Sequence, residues 1–105
     1  MTTFDKRQEG FEKKFALDEE QKFKAVARRN KLLGLWAAEK LGKSGTEADA
    51  YAKEVVAADF EEAGDDDVLR KVAGDLAGHG VSDTEVRKKM DELLPEAVAQ
   101  IKAGQ

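Results

Sequence analysis

The sequence predicts an all-α protein: a small four-helix bundle with a mobile or conditionally helical N-terminal arm. Three observations lead there. A single proline stands against nine glycines in 105 residues, and long helices tolerate almost no proline. Apolar residues recur at three-, four- and seven-residue intervals over four stretches marked off by glycines, the spacing of amphipathic helices. Charged residues make up 38% against 41% hydrophobic, enough charge to coat elongated elements, which favours helices over a compact β-sandwich. The length is that of one domain, since autonomous domains cluster near roughly 100–150 residues; a second full domain is excluded.

The first helix is expected from about Asp18 to Leu41, with Phe23, Val26, Ala27, Leu33, Ala37 and Leu41 on its apolar stripe and Gly42 at its C-cap. Inside it, Leu32 to Trp36 is the densest apolar block and contains Gly34. A mid-helix glycine costs about 1 kcal/mol relative to alanine, so Gly34 calls for the close approach of a neighbouring helix. The block reads as bundle core, with a partner site around an exposed Trp36 as the alternative. After the Lys43-Ser44-Gly45 turn, Thr46 and Asp49 resemble a capping box that opens the second helix. Ala48, Tyr51, Ala52, Val55, Val56, Phe60 and Ala63 keep helical spacing, and Gly64 is expected to end it.

Asp65, Asp66 and Asp67 open the third helix, where carboxylates meet free amides and the positive end of the dipole. Val68, Leu69, Val72, Ala73 and Leu76 form its stripe, closed by Gly78 and Gly80. In the fourth, Ser82 and Glu85 make a capping box and Val81 is placed to staple onto Val86. Val86, Met90, Leu93, Leu94, Ala97 and Ile101 continue the stripe, with a kink or break expected at Pro95, which lacks the amide that would bond Asp91. Connections of two to five residues imply antiparallel neighbours.

The chain divides into an arm, residues 1–17, and a bundle, residues 18–105. The arm has Phe4, Phe11 and Phe15 at helical spacing among charged residues, with Gly10 between them. So thin a stripe has no necessary place in a core, and helix-in-groove recognition uses apolar anchors spaced in this way. The alternative is that the arm folds back onto its own bundle.

Several chemistries are excluded. With no cysteine there is no disulfide framework, thiolate metal site or cysteine nucleophile. One histidine, His79, permits no histidine triad and reads as a surface residue near a helix C-terminus. The acidic run from Asp59 to Asp67 lacks EF-hand spacing, since Arg70 stands where that loop needs glycine. The glycines at 74, 78 and 80 lack the Gly-Lys-Ser/Thr ending of a phosphate loop. No catalytic site, metal site or cofactor is visible, and the chain reads as a non-enzyme. A net charge of −4 argues against nucleic acid, and no stretch has the roughly 18–20 apolar residues of a membrane span.

At these residues the sequence resembles a known family. The runs FEKKFALDEEQKFKAVARRNKLLGLWAAEKLG, DAYAKEVVAADFEEAG, DVLRKV and RKKMDELL resemble the alphaproteobacterial zeta subunit, an intrinsic ATPase inhibitor of the F-type ATP synthase, over almost the whole chain. The resemblance implies a four-helix fold and an N-terminal arm that enters the catalytic subunit interface of the ATPase head and blocks rotation and ATP hydrolysis. It implies the alpha, beta and gamma subunits of that head as partners. It also implies a cytoplasmic location, peripheral to the inner membrane through the ATP synthase and with no direct membrane insertion. Carried onto this chain, Phe4, Asp5, Arg7, Phe11, Lys14 and Phe15 are the contact residues chosen by side-chain chemistry. The competing class is a nucleotide- or ligand-binding regulatory bundle, in which Arg28, Arg29 and Lys31 receive phosphates and bind nucleotide weakly.

Overall fold

The computed structural model describes residues 17–59 and 66–104. They form α1 (Glu19–Lys40), α2 (Thr46–Ala58), α3 (Asp66–Leu76), a 3-10 turn (Ala77–His79) and α4 (Asp83–Lys102), with no strand among the described residues. The all-α four-helix fold is the one the sequence predicts.

Helix α1 packs most extensively against α2 and α4. Its contacts run antiparallel to both: Gly34 faces Ala52 of α2, while Arg28 meets Gln100 and Trp36 meets Lys89 of α4. Leu33, Ala37 and Ala38 of α1, Tyr51 and Val55 of α2, Val68, Val72 and Leu76 of α3, and Val86, Met90 and Leu93 of α4 form one buried core. Leu69, Ala73 and Val81 pack against it, as does half-buried Trp36, whose ring lies under the ammonium groups of Lys40 and Lys89 at 5.8 and 6.0 Å.

Gly34 is where the two longest-paired helices touch. A Cβ built on it would lie 2.6 Å from the Cα of Ala52 and 3.3 Å from the Cβ of Val55, so only glycine lets the α1 backbone approach α2 so closely. The close approach expected from a mid-helix glycine is present.

The helix ends follow local chemistry, with two departures from expectation. Gly42, at φ 77°, ends α1 as a left-handed residue, and the amides of Gly42 and Lys43 donate to the carbonyls of Glu39 and Ala38 at 3.1 and 2.9 Å, the Schellman arrangement. The Thr46–Asp49 capping box does not form. Gly45, at φ 57° and ψ −129°, is the N-cap, and its carbonyl accepts from the Asp49 amide at 3.1 Å. A backbone turn open to glycine enters the helix one residue early, so Thr46 is already its first helical residue and has no capping position. Helix α2 ends at Ala58; the expected end at Gly64, with Phe60 and Ala63, lies outside the described residues. So does Asp65, and Asp67 hydrogen-bonds Arg70. At α4 the Ser82 hydroxyl accepts from the Glu85 amide at 3.2 Å, which is one half of the expected capping box.

Pro95 does not break α4, which runs on from Asp83 to Lys102. Both Pro95 and Asp91 are exposed, so the ring stands away from the core and the missing hydrogen bond falls on the solvent side of the helix. Replacing Pro95 with alanine is therefore expected to stabilise the bundle by about 2 kcal/mol: the helix-interior penalty of about 3, less the up to about 1 that proline saves by restricting the unfolded chain. The test is a urea melt, in which an unchanged or lowered midpoint would contradict this account.

Phe23 departs from its expected place on the buried stripe: it is 61% exposed. The pairing of Gly34 with Ala52 puts Ala58 opposite about residue 28 of α1. Helix α2 thus ends before it reaches Phe23.

Candidate functional site

The features that could carry function gather where α1 begins. Asp18, extended at φ −79° and ψ 175°, stops the helix. Its Oδ1 accepts from the Gln21 amide at 2.7 Å, while its own amide donates to Gln21 Oε1 at 3.3 Å. This reciprocal box satisfies two donors that a helix start otherwise leaves open, and Glu19 and Glu20 add negative charge at the positive end of the dipole. The signal was present in the sequence as an acid followed three residues on by an amide, inside what reads as an undifferentiated polar run.

Just before this cap, Leu17 is buried with Ala25 of α1 and Val98 of α4, and Ile101 packs against them. This second cluster is separate from the main core and fastens the chain at the seam of α1 and α4. One turn beyond Ala25, the Arg28 guanidinium donates to Gln100 Oε1 at 2.7 Å, a second tie across the same seam. Leu17, the first described residue, is thus a fixed point on the bundle.

The three cations of the phosphate-binding alternative have different surroundings. Arg29 is 3% exposed and its Nε donates to Oδ1 of the fully buried Asn30 at 2.8 Å. Arg28 is half-buried against Gln100, and Lys31 is exposed. Asn30 Nδ2 is buried without a hydrogen-bond partner.

Between α2 and α3 lies an open cleft of about 710 Å³ lined by Glu54, Ala57, Ala58, Asp67, Arg70 and Lys71. At its side the Tyr51 hydroxyl donates to Asp75 Oδ2 at 2.8 Å, and Lys71 Nζ reaches the same oxygen at 3.2 Å while lying 5.2 Å from the Tyr51 ring centre. Burial first, and the Asp75 hydrogen bond second, push the Tyr51 phenol well above its ordinary value. It remains a neutral donor that ties α2 to α3. His79 is exposed in the 3-10 turn, and no group of three or more potential metal ligands occurs among the described residues.

Phe4, Asp5, Arg7, Phe11, Lys14 and Phe15 all lie outside the described residues. What the structure places is their point of attachment. Sequence reasoning missed Phe23 as a surface residue, because periodicity reports the face of a helix and not how far its neighbour extends.

A family model described as ATPase inhibitor subunit zeta matches residues 1–100. The chain belongs to this family. A zeta-family chain is a regulatory subunit that inhibits the ATP synthase and is not an enzyme, and its association is with the ATP synthase. A solved solution NMR structure is similar to this zeta chain, at a TM-score of 0.72 and 61% identity, covering 79% of this chain and 96% of that one. No curated protein matches it. No helix among the described residues of the zeta chain is long and apolar enough to cross a membrane.

Proposed function

We propose that this chain inhibits ATP hydrolysis through its N-terminal arm, which inserts at the catalytic subunit interface of the ATPase head and blocks rotation. The bundle holds the arm at its base. Phe4, Phe11 and Phe15 are its apolar anchors, and Asp5, Arg7 and Lys14 its polar contacts. The partners are the alpha, beta and gamma subunits of the head, and the chain acts on the cytoplasmic side, peripheral to the inner membrane. The observation that carries this reading is that the family match begins at residue 1 and so includes the arm together with the bundle. The fixed departure point at Leu17 and Asp18 supports it, because an anchored base lets the bundle stay outside a cleft that the arm enters.

The test is steady-state ATP hydrolysis by the isolated head with full-length protein and with protein lacking residues 2–16. Leu17 is kept because it belongs to the buried seam. Loss of inhibition on truncation is the expected result; retained inhibition would overturn the reading.

A further inference from the structure

We infer that α3 is a detachable cover: it opens and closes as a unit, uncovering the apolar core, while α1, α2 and α4 stay packed and keep Leu17 in place. The inference is independent of the arm reading above. Three of the eleven buried core residues, Val68, Val72 and Leu76, come from α3, and the other eight belong to α1, α2 and α4. Helix α3 packs less against each of its neighbours than α1 does against α2 or α4. At 11 residues, against 22, 13 and 20, it is also the shortest of the four. Isolated helices shorter than about 12–15 residues are marginal in water even in alanine-rich sequences, so α3 is helical only while it is docked. Undocking therefore takes the whole helix.

The local chemistry at the end of α3 favours opening. Gly74 is exposed, and a Cβ built on it would meet nothing within 4 Å. Unlike Gly34, it makes room for no neighbour, so no packing offsets its low helix propensity. Asp75 places a negative charge at the negative end of the helix dipole, and the last turn has no basic residue. The 3-10 turn that follows, Ala77–His79, buries none of its residues. What offsets these costs is a latch: Asp75 Oδ2 accepts from the Tyr51 hydroxyl of α2 at 2.8 Å and from Lys71 Nζ at 3.2 Å. A hydrogen bond to a charged acceptor is stronger than one between neutral groups, and this one crosses from α2 to the least favourable turn of α3. None of these groups belongs to the Leu17 cluster or to the Arg28–Gln100 tie. The seam of α1 and α4 thus stays intact when α3 opens.

The experiment is amide hydrogen exchange of the full-length parent, Tyr51→Phe and Gly74→Ala at several urea concentrations below the unfolding midpoint. In the parent, the amides from Arg70 to Leu76 are expected to exchange through one common opening, at least about tenfold more frequent than the one that frees the slowest amides of Leu33–Ala38 and Met90–Leu93. That opening should depend less steeply on urea, because it exposes less surface than unfolding does. Tyr51→Phe keeps the buried ring and removes the hydroxyl, and is expected to speed α3 exchange about tenfold. Gly74→Ala is expected to slow it about threefold. If α3 amides match those of α1 and α4 in rate and urea dependence, only the whole bundle opens and the inference falls. If fast exchange is confined to Ala73–Leu76, the end frays and the helix does not detach as a unit, which also overturns it. Parent-like α3 exchange in Tyr51→Phe would overturn Asp75 as the latch.

Discussion

Replacing Gly34 with valine is expected to lower the stability of the bundle by about 3 kcal/mol or more, a large share of the ~5–15 kcal/mol that holds a domain of this kind folded. The obstacle is backbone. The nearest atom to an added Cβ is the Ala52 Cα at 2.6 Å, followed by the Ala52 Cβ at 3.1 Å and the Val55 Cβ at 3.3 Å. No rotamer change moves a Cα, so α1 and α2 must separate along their contact. Alanine is the milder case: it gains about 1 kcal/mol of helix propensity and loses about 1–3 to overpacking. Valine adds two methyl groups on the side of Val55 and lacks most of the propensity gain. A second change, Ala52→Gly, removes only the 3.1 Å contact, so its rescue is expected to be partial. Urea denaturation of the parent, both single variants at position 34 and the double variant measures this. A parent-like midpoint for the valine variant would refute the crossing.

The other large effect belongs to the arm. Truncation of residues 2–16 is expected to abolish inhibition, because the proposed burial of three phenylalanines, at roughly 1.5–3 kcal/mol each, would supply about 5–9 kcal/mol of gross contact. Phe11→Ala with Phe15→Ala removes two of the three and is expected to weaken inhibition about a hundredfold or more. Among the described residues the buried members of the main core run from Leu33 to Leu93, all outside the deleted and substituted positions. The Leu17 cluster also survives, since Leu17, Ala25, Val98 and Ile101 are all retained. The melting midpoint should therefore stay close to that of the parent. A truncated protein that inhibits fully would show that the bundle surface is sufficient.

The residues most legible in the sequence are those whose signal is local. Ser82 with Glu85, Gly42 after Leu41, and the Val68–Val72–Leu76 stripe each act within a turn or two, and the structure has them capping, ending and buried as their spacing indicates. Gly34 was legible as an anomaly whose cost requires a close neighbour. Thr46 misled because Thr-x-x-Asp fits either of two adjacent registers, and the backbone freedom of Gly45 selects the other. Phe23 misled because its burial depends on where α2 stops, which is set some thirty-five residues later in the chain. Arg29 and Asn30 carry no apolar signal, yet they are 3% and 0% exposed. Their burial follows from the helix face they share with Leu33 and Ala37, which overrides their polarity.

The separation of the Leu17 cluster from the main core has a mechanical consequence. Tension transmitted along the chain from the N-terminal side passes through Leu17 before any other described residue, and there a patch of four apolar side chains lies at the tip of the α1–α4 seam. The eleven buried residues of the main core begin at Leu33, more than two helical turns farther along α1. Such a pull peels the small patch and the Asp18 cap before it strains the core. The bundle thus has a short tether that can yield and re-form while the helices behind it stay packed.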